Sequence, residues 1–222
     1  MRSLTDQERQ VRRDLLADHA LGLFAGQGYA KLTVEAVARA AGVAKGTVFQ
    51  AFASKEDLFL HAVRRRFEAW FTRLAGVNPA QPPAPLARDL LSTLRADNLL
   101  LPLLALVGPV LEEGCSAPAV VEFKGALAAG LSALTAVWAP HRPDVPFDAW
   151  APLFLEVYAL TVGAWTVGEA SVSVRGALAD RPELGFFLTR FEDLFVPLAT
   201  ARLAFLEGPV RTGPDPGRPG RL

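Results

Sequence analysis

Apolar residues recur every three or four positions along most of the chain, the spacing that gathers them on one side of a helix. Val11, Leu15, Leu16, Ala20, Leu23 and Phe24 form one such stripe to about Gly26. Thr5 and Glu8 stand before it at capping-box spacing, and Gly28 fits just past its end. Val34, Val37 and Ala38 mark a short helix that Thr33 can cap and Gly42 can end. A second short helix spans 44–50, with Val43, Val48 and Phe52 turned inward. Ser54 and Asp57 then make a near capping box for a long helix over 55–75, whose apolar side carries Leu58, Phe59, Ala62, Phe67, Trp70 and Leu74. The proline-rich stretch 78–85 breaks that helix. Beyond it the pattern predicts helices at about 86–97, 99–112, 117–138, 148–170 and 184–206, with Pro102 and Pro109 bending or splitting the second. Leu and Ala dominate and β-branched residues are few, so the expected fold class is all-α.

The stretch 33–55 carries the most specific signal. The outer side of the 44–50 helix presents Lys45, Gly46, Thr47, Phe49 and Gln50: a cation, a small residue, a hydroxyl, a ring and an amide. A helix with that face can enter a major groove and read base edges. The start of the next helix, with Lys55 beside it, suits a phosphate.

Residues 16–58 resemble the DNA-binding domain of the tetracycline-repressor (TetR/AcrR) family of transcriptional regulators. The match is carried by Leu16, Ala20, Leu23-Phe24, Gly28-Tyr29, Thr33, Val37-Ala38, Ala41-Gly42-Val43, Gly46-Thr47, Phe52 and Ser54-Lys55-Glu56. Ala44, Phe49 and Ala51 depart from it, standing where the family favours serine, tyrosine and histidine. The resemblance implies a helix-turn-helix domain (1–54), a connecting helix (55–77) and a larger helical ligand-binding and dimerisation domain (78–207), before a tail at 208–222 expected to be disordered. It implies a homodimeric repressor that leaves a palindromic double-stranded operator when a small hydrophobic ligand binds. Lys45, Thr47 and Gln50 would read bases, with Thr33, Phe49 and Lys55 on the backbone. The alternatives are a ligand-dependent activator, or a ligand-binding or scaffold protein with a weakened DNA motif.

Charge agrees with this division. The chain is neutral overall, but residues 1–75 hold 12 Lys/Arg against 8 Asp/Glu and the remainder 11 against 15. The basic half faces a polyanion and the rest is mildly acidic. The arginine run at 64–66 reads as a solvated face, in preference to a DNA contact. One cysteine, Cys115, excludes an internal disulfide and fits a reducing cytoplasm. No basic leader with an apolar core opens the chain. The uncharged runs 125–141 and 99–111 fall short of the roughly 20 apolar residues of a membrane span, so no membrane partner is expected.

No catalytic set emerges. His19, His61 and His141 stand far apart, without metal-ligand spacing, so neither an enzyme nor a metal or other cofactor is expected. A small-molecule pocket suits the second domain better, where apolar helices carry few polar interruptions. Its candidate lining is Trp138, Glu156, Tyr158, Thr161 and Trp165, with Glu156 or Glu169 available to a cation. The stripes at 148–170 and 184–206 offer a four-helix dimer interface through Phe154, Trp165, Phe187, Phe191, Phe195 and Leu198.

Overall fold

The Thr5 hydroxyl accepts the Glu8 amide at 3.2 Å while the Glu8 carboxylate accepts the Thr5 amide at 2.7 Å, closing the box that starts α1 (Asp6–Gln27). The computed structural model describes residues 5–205; residues 1–4 and the tail expected at 208–222 lie outside it. Gly28 ends α1 with φ at 74°, a conformation that side-chain-bearing residues rarely adopt. α2 (Val34–Ala40) starts on Thr33, whose hydroxyl accepts the Ala36 amide at 3.2 Å. Gly42, φ 66°, turns the chain into α3 (Lys45–Ala51), which begins on Ala44 without a side-chain cap. Leu16, Ala20, Val37, Val48 and Phe52 close a small core with the first turns of α4 (Lys55–Ala75).

The far end of α4 belongs to the second half, where Phe67, Trp70, Phe71 and Leu74 are buried. α5 (Pro83–Arg95) uses the proline-rich joint as its own first turn, where a missing N–H is harmless. α6 (Leu100–Leu106) runs through a π turn (Val107–Leu111) into the one-turn α7 (Glu112–Gly114). α8 (Ala117–Trp138), α9 (Trp150–Gly168), α10 (Val172–Leu178) and α11 (Phe191–Ala204) follow. α4 packs along α8, and α11 lies against α5 and α9. Among the described residues there is no strand, as the pattern predicts.

Four expectations change. The helix read at 99–112 takes an extra residue at its π turn, around Pro109, rather than a simple bend. The helix read at 184–206 starts only at Phe191, because Pro182–Leu188 forms a 3-10 turn. The arginine run is not a solvated face. Arg64 pairs with Glu68 at 3.0 Å, Arg65 with Asp18 at 2.6 Å and Arg66 with Asp97 at 2.9 Å, tying α4 to α1 and to the α5–α6 junction. Finally, Ala117–His141 and Phe147–Gly168 are long and apolar enough, by length and composition, to cross a membrane. Each of these helices carries isolated charged residues, among them Lys124 in the first and Asp148 and Glu156 in the second, which interrupt an uncharged run without ending the helix.

Candidate nucleic-acid interface and effector cavity

Lys45, Gly46, Phe49 and Gln50 lie exposed on one side of α3, and Thr47 is half-buried beside them. Lys45 is ion-paired to Glu35 in the first turn of α2, and its ammonium stands 5.7 Å from the centre of the Phe49 ring. A Cβ added at Gly46 would meet no atom within 4 Å. Thr33 is exposed with its oxygen engaged in capping α2. Lys55 is folded back: its ammonium donates to the Leu32 carbonyl at 3.3 Å and sits 3.9 Å over the Tyr29 ring. The Tyr29 hydroxyl donates to Glu56 at 2.6 Å, and burial followed by that carboxylate holds the phenol far above its ordinary range. The five α3 residues thus share one outward face, whereas Thr33 and Lys55 also serve the domain's own structure.

This domain is bonded to the second half where α4 begins. Ser54 accepts the Asp57 amide at 3.0 Å and donates to the Gly114 carbonyl at 3.2 Å. The Asp57 carboxylate does not complete a capping box; it turns to Ser116, accepting the amide at 2.7 Å and the hydroxyl at 2.8 Å. Arg13 on α1 donates to Glu122 on α8 at 3.2 Å. Nearby, Arg64 donates to His61 Nδ1 at 3.3 Å, so the His61 proton belongs on Nε2, which donates to Asp14 at 2.8 Å. Burial, with Arg13 and Arg64 adding to it, lowers the His61 pKa. Cys115 lies within the same junction; burial first, then Asp57, Glu56 and Glu112, push its thiol up to about 12 and leave it unreactive.

Between α4, α8, α9 and the π turn lies a cavity of about 230 Å³, lined by Phe67, Val107, Phe123, Leu127, Phe154 and Tyr158, with Lys124 also on its wall. A smaller one of about 50 Å³ adjoins it, shares Leu131 and Phe154, and reaches Trp138 and Trp150. Of the pocket residues expected from sequence, Tyr158 borders the first cavity and Trp138 the second, its indole donating to the Leu74 carbonyl at 3.2 Å. Glu156, Thr161 and Trp165 line neither. The Thr161 hydroxyl donates to Val157 of its own helix at 2.7 Å, Glu156 is paired with Arg202, and Trp165 packs edge-on to Phe191 below Arg95. Glu169 pairs with Arg95 at 3.2 Å.

The residues expected at a dimer interface separate in the same way. Phe191 and Phe195 are wholly enclosed within the protomer, and Phe154 packs on Phe71 at 5.3 Å. Phe187 and Leu198 stay exposed. A stripe at helical spacing has the same sequence whether it faces its own core or a second chain. Phe67 and Phe123, read as core or not singled out, are cavity walls; Lys124 stood out only as the single lysine after residue 55. Among the described residues, no three His, Cys, Asp or Glu gather as a metal site.

A three-helix domain with an exposed second-motif helix, bonded through a long helix to a hollow helical domain, defines a helix-turn-helix DNA-binding regulator. Residues 16–62 match the family described as bacterial regulatory proteins, tetR family, and residues 60–206 match the tetracyclin repressor-like C-terminal domain. The chain belongs to the TetR family: a DNA-binding transcriptional regulator, not an enzyme. It is 38% identical over 99 residues to the regulator TcmR of Streptomyces glaucescens, a match covering 42% of this chain and 44% of that one. It is 42% identical over 55 residues to AcrR of Shigella flexneri, over 25% and 26% of the two chains. The matched part thus spans less than half the length of either relative. Among solved structures, Thermus thermophilus FadR, a TetR-family repressor in complex with lauroyl-CoA, is similar with a TM-score of 0.57 at 20% identity, over 93% of this chain and 100% of that one. The fatty acid degradation regulator FadR of Bacillus halodurans gives 0.51 at 16%, over 95% and 99%. At those identities the likeness is one of fold.

Proposed function

We propose that the chain is a homodimeric repressor that binds a palindromic operator through α3 and leaves it when an apolar small molecule fills the α4–α8–α9 cavity. One observation carries this reading: a single stretch of chain joins the cavity to the DNA-binding domain. Val107 lines the cavity, and a few residues later Gly114 and Ser116 bond Ser54 and Asp57 at the start of α4, the element that follows the recognition helix in the chain. A ligand that prefers one arrangement of that stretch shifts the DNA-binding domain by its differential affinity. Lys45, Thr47 and Gln50 read bases, while Gly46 lets the backbone come close and Phe49 lies along it.

Dimerisation is supported by the exposed apolar side chains Val121 and Val137 on α8, Leu155 and Val167 on α9 and Leu198 on α11. A second copy covering those faces explains why two helices apolar enough for a bilayer are so little buried in one chain. The lauroyl-CoA complex of the Thermus relative supports an acyl-type effector. The test is fluorescence anisotropy on the DNA upstream of the chain's own gene across a salt series. Binding that outcompetes random DNA, falls linearly in log salt and is released by medium-chain acyl compounds is expected. Equal, weak binding to every sequence would instead favour a protein that keeps the cavity and has lost the operator.

A further inference from the structure

We propose that the cavity selects an amphiphile with an anionic head, and that Lys124 holds this head in exchange for the Glu112 carboxylate. The inference rests on the effector reading above and specifies the chemistry of that ligand. The cavity is otherwise walled by aromatic and aliphatic side chains, so its interior accepts only an apolar body. Lys124 is the one cationic side chain on that wall, and the only lysine beyond residue 55. Its ammonium is held 2.6 Å from Glu112 Oε1, in a pair whose lysine side chain is 54% exposed. An exposed pair of this kind is worth little, because water competes with both partners. An anion carried into place by a buried hydrocarbon body meets the ammonium beside an apolar wall, where the same attraction is stronger.

The sign of the charge follows from which partner faces the cavity. Lys124 lies on its wall and Glu112 does not, so a cationic head would meet the ammonium first. Tyr158 contributes in the same sense. Burial and then the nearby Glu112 charge raise its pKa, so the phenol keeps its proton and can donate to an anion. Phe123 packs beside the lysine, with the ammonium 5.5 Å from its ring centre, so the cation borders the aromatic wall of the cavity.

The experiment loads the full-length protein with the uncharged fluorescent probe N-phenyl-1-naphthylamine and displaces it with decanoate, decan-1-ol and decyltrimethylammonium. Decanoate should displace it about tenfold more effectively than decanol, the scale of one charge-assisted hydrogen bond. Lys124→Gln should remove that preference while leaving decanol unchanged, and Lys124→Glu should turn it toward the cation. Glu112→Gln should tighten decanoate several-fold by removing its internal competitor. Equal displacement by acid and alcohol, or a preference for decanoate that survives Lys124→Gln, overturns the head-group assignment and leaves the apolar effector site standing. If neither the probe nor any of the three compounds binds, the effector reading falls as well.

Discussion

Asp57 and Ser116 are joined twice: one carboxylate oxygen accepts the serine amide at 2.7 Å and the other its hydroxyl at 2.8 Å. Asp57 is 5% exposed at the start of the long helix, and Ser116 caps α8, so the pair fastens the DNA-binding domain to the effector domain. Asp57→Ala leaves the half-buried Ser116 amide and hydroxyl without their acceptor and should destabilise the protein by about 1–2 kcal/mol in urea denaturation. Ser116→Ala should do less, since the amide remains. In a double-mutant cycle the two losses should fall short of adding; strict additivity would refute the pairing.

Gly46 faces open space, so its lack of a side chain serves nothing inside the protein. Gly46→Ala should raise stability by up to about 1 kcal/mol, the usual helix-propensity gain. If α3 is the operator-reading helix, the same change should weaken operator binding, because the added methyl would stand on its outward face. A thermal melt and anisotropy on one variant test both halves, and unchanged DNA affinity would move the interface away from α3.

His61 gives the junction a pH dependence. Its folded-state pKa is lowered from 6.5, so both folded and unfolded chains hold it neutral above that value. As pH falls below 6.5 the unfolded chain takes up the proton first, and stability drops until the lowered folded pKa is reached. Chemical denaturation at neutral pH and at about one unit below 6.5 should show the loss in the wild type. His61→Gln should be less stable at neutral pH but flatter over that interval, and a parallel slope in the two proteins would exclude His61 as the source.

Phe154 stands, with Leu131, on the wall of both cavities, and is the larger of the two shared side chains. It is half-buried, so Phe154→Ala should cost about 2–3 kcal/mol, below the range for a fully enclosed ring. Joining the cavities should shift the preferred ligand to a longer or bulkier apolar body. Displacement of the probe by a chain-length series would read this directly; an unchanged optimum would mean that the two spaces do not communicate.

The DNA-binding half was legible because its rules are local. Thr5, Thr33 and Ser54 cap the helices their positions announce, and Gly28 and Gly42 take the positive φ that a turn demands. The second half was legible in its helices and not in its contacts. Phe191 and Phe195 read as outward-facing and are enclosed, while Phe187, read on the same stripe, sits on a separate 3-10 turn. Thr161 looked like a polar group for a ligand, but its hydroxyl is spent on its own backbone. The π turn had only Gly108 and Pro109 to mark it, and Asp57 was read as part of a cap when its partner lies 59 residues away. Such pairings depend on which helices meet, and helical periodicity is silent on that.

Lys45 comes to the DNA face already holding an anion, the Glu35 carboxylate of the preceding helix. Any duplex that takes this lysine must first displace a competitor of the same charge as its own phosphates. Random DNA, offering charge alone, therefore gains less from Lys45 than it would from an unpaired lysine, and releases fewer counterions in doing so. With both side chains about half exposed, that competitor is a weak one. On the operator-binding reading it subtracts a small and equal amount from every duplex, so Lys45 adds little to binding by charge alone, and the choice between sequences is left to the uncharged groups beside it, Thr47 and Gln50.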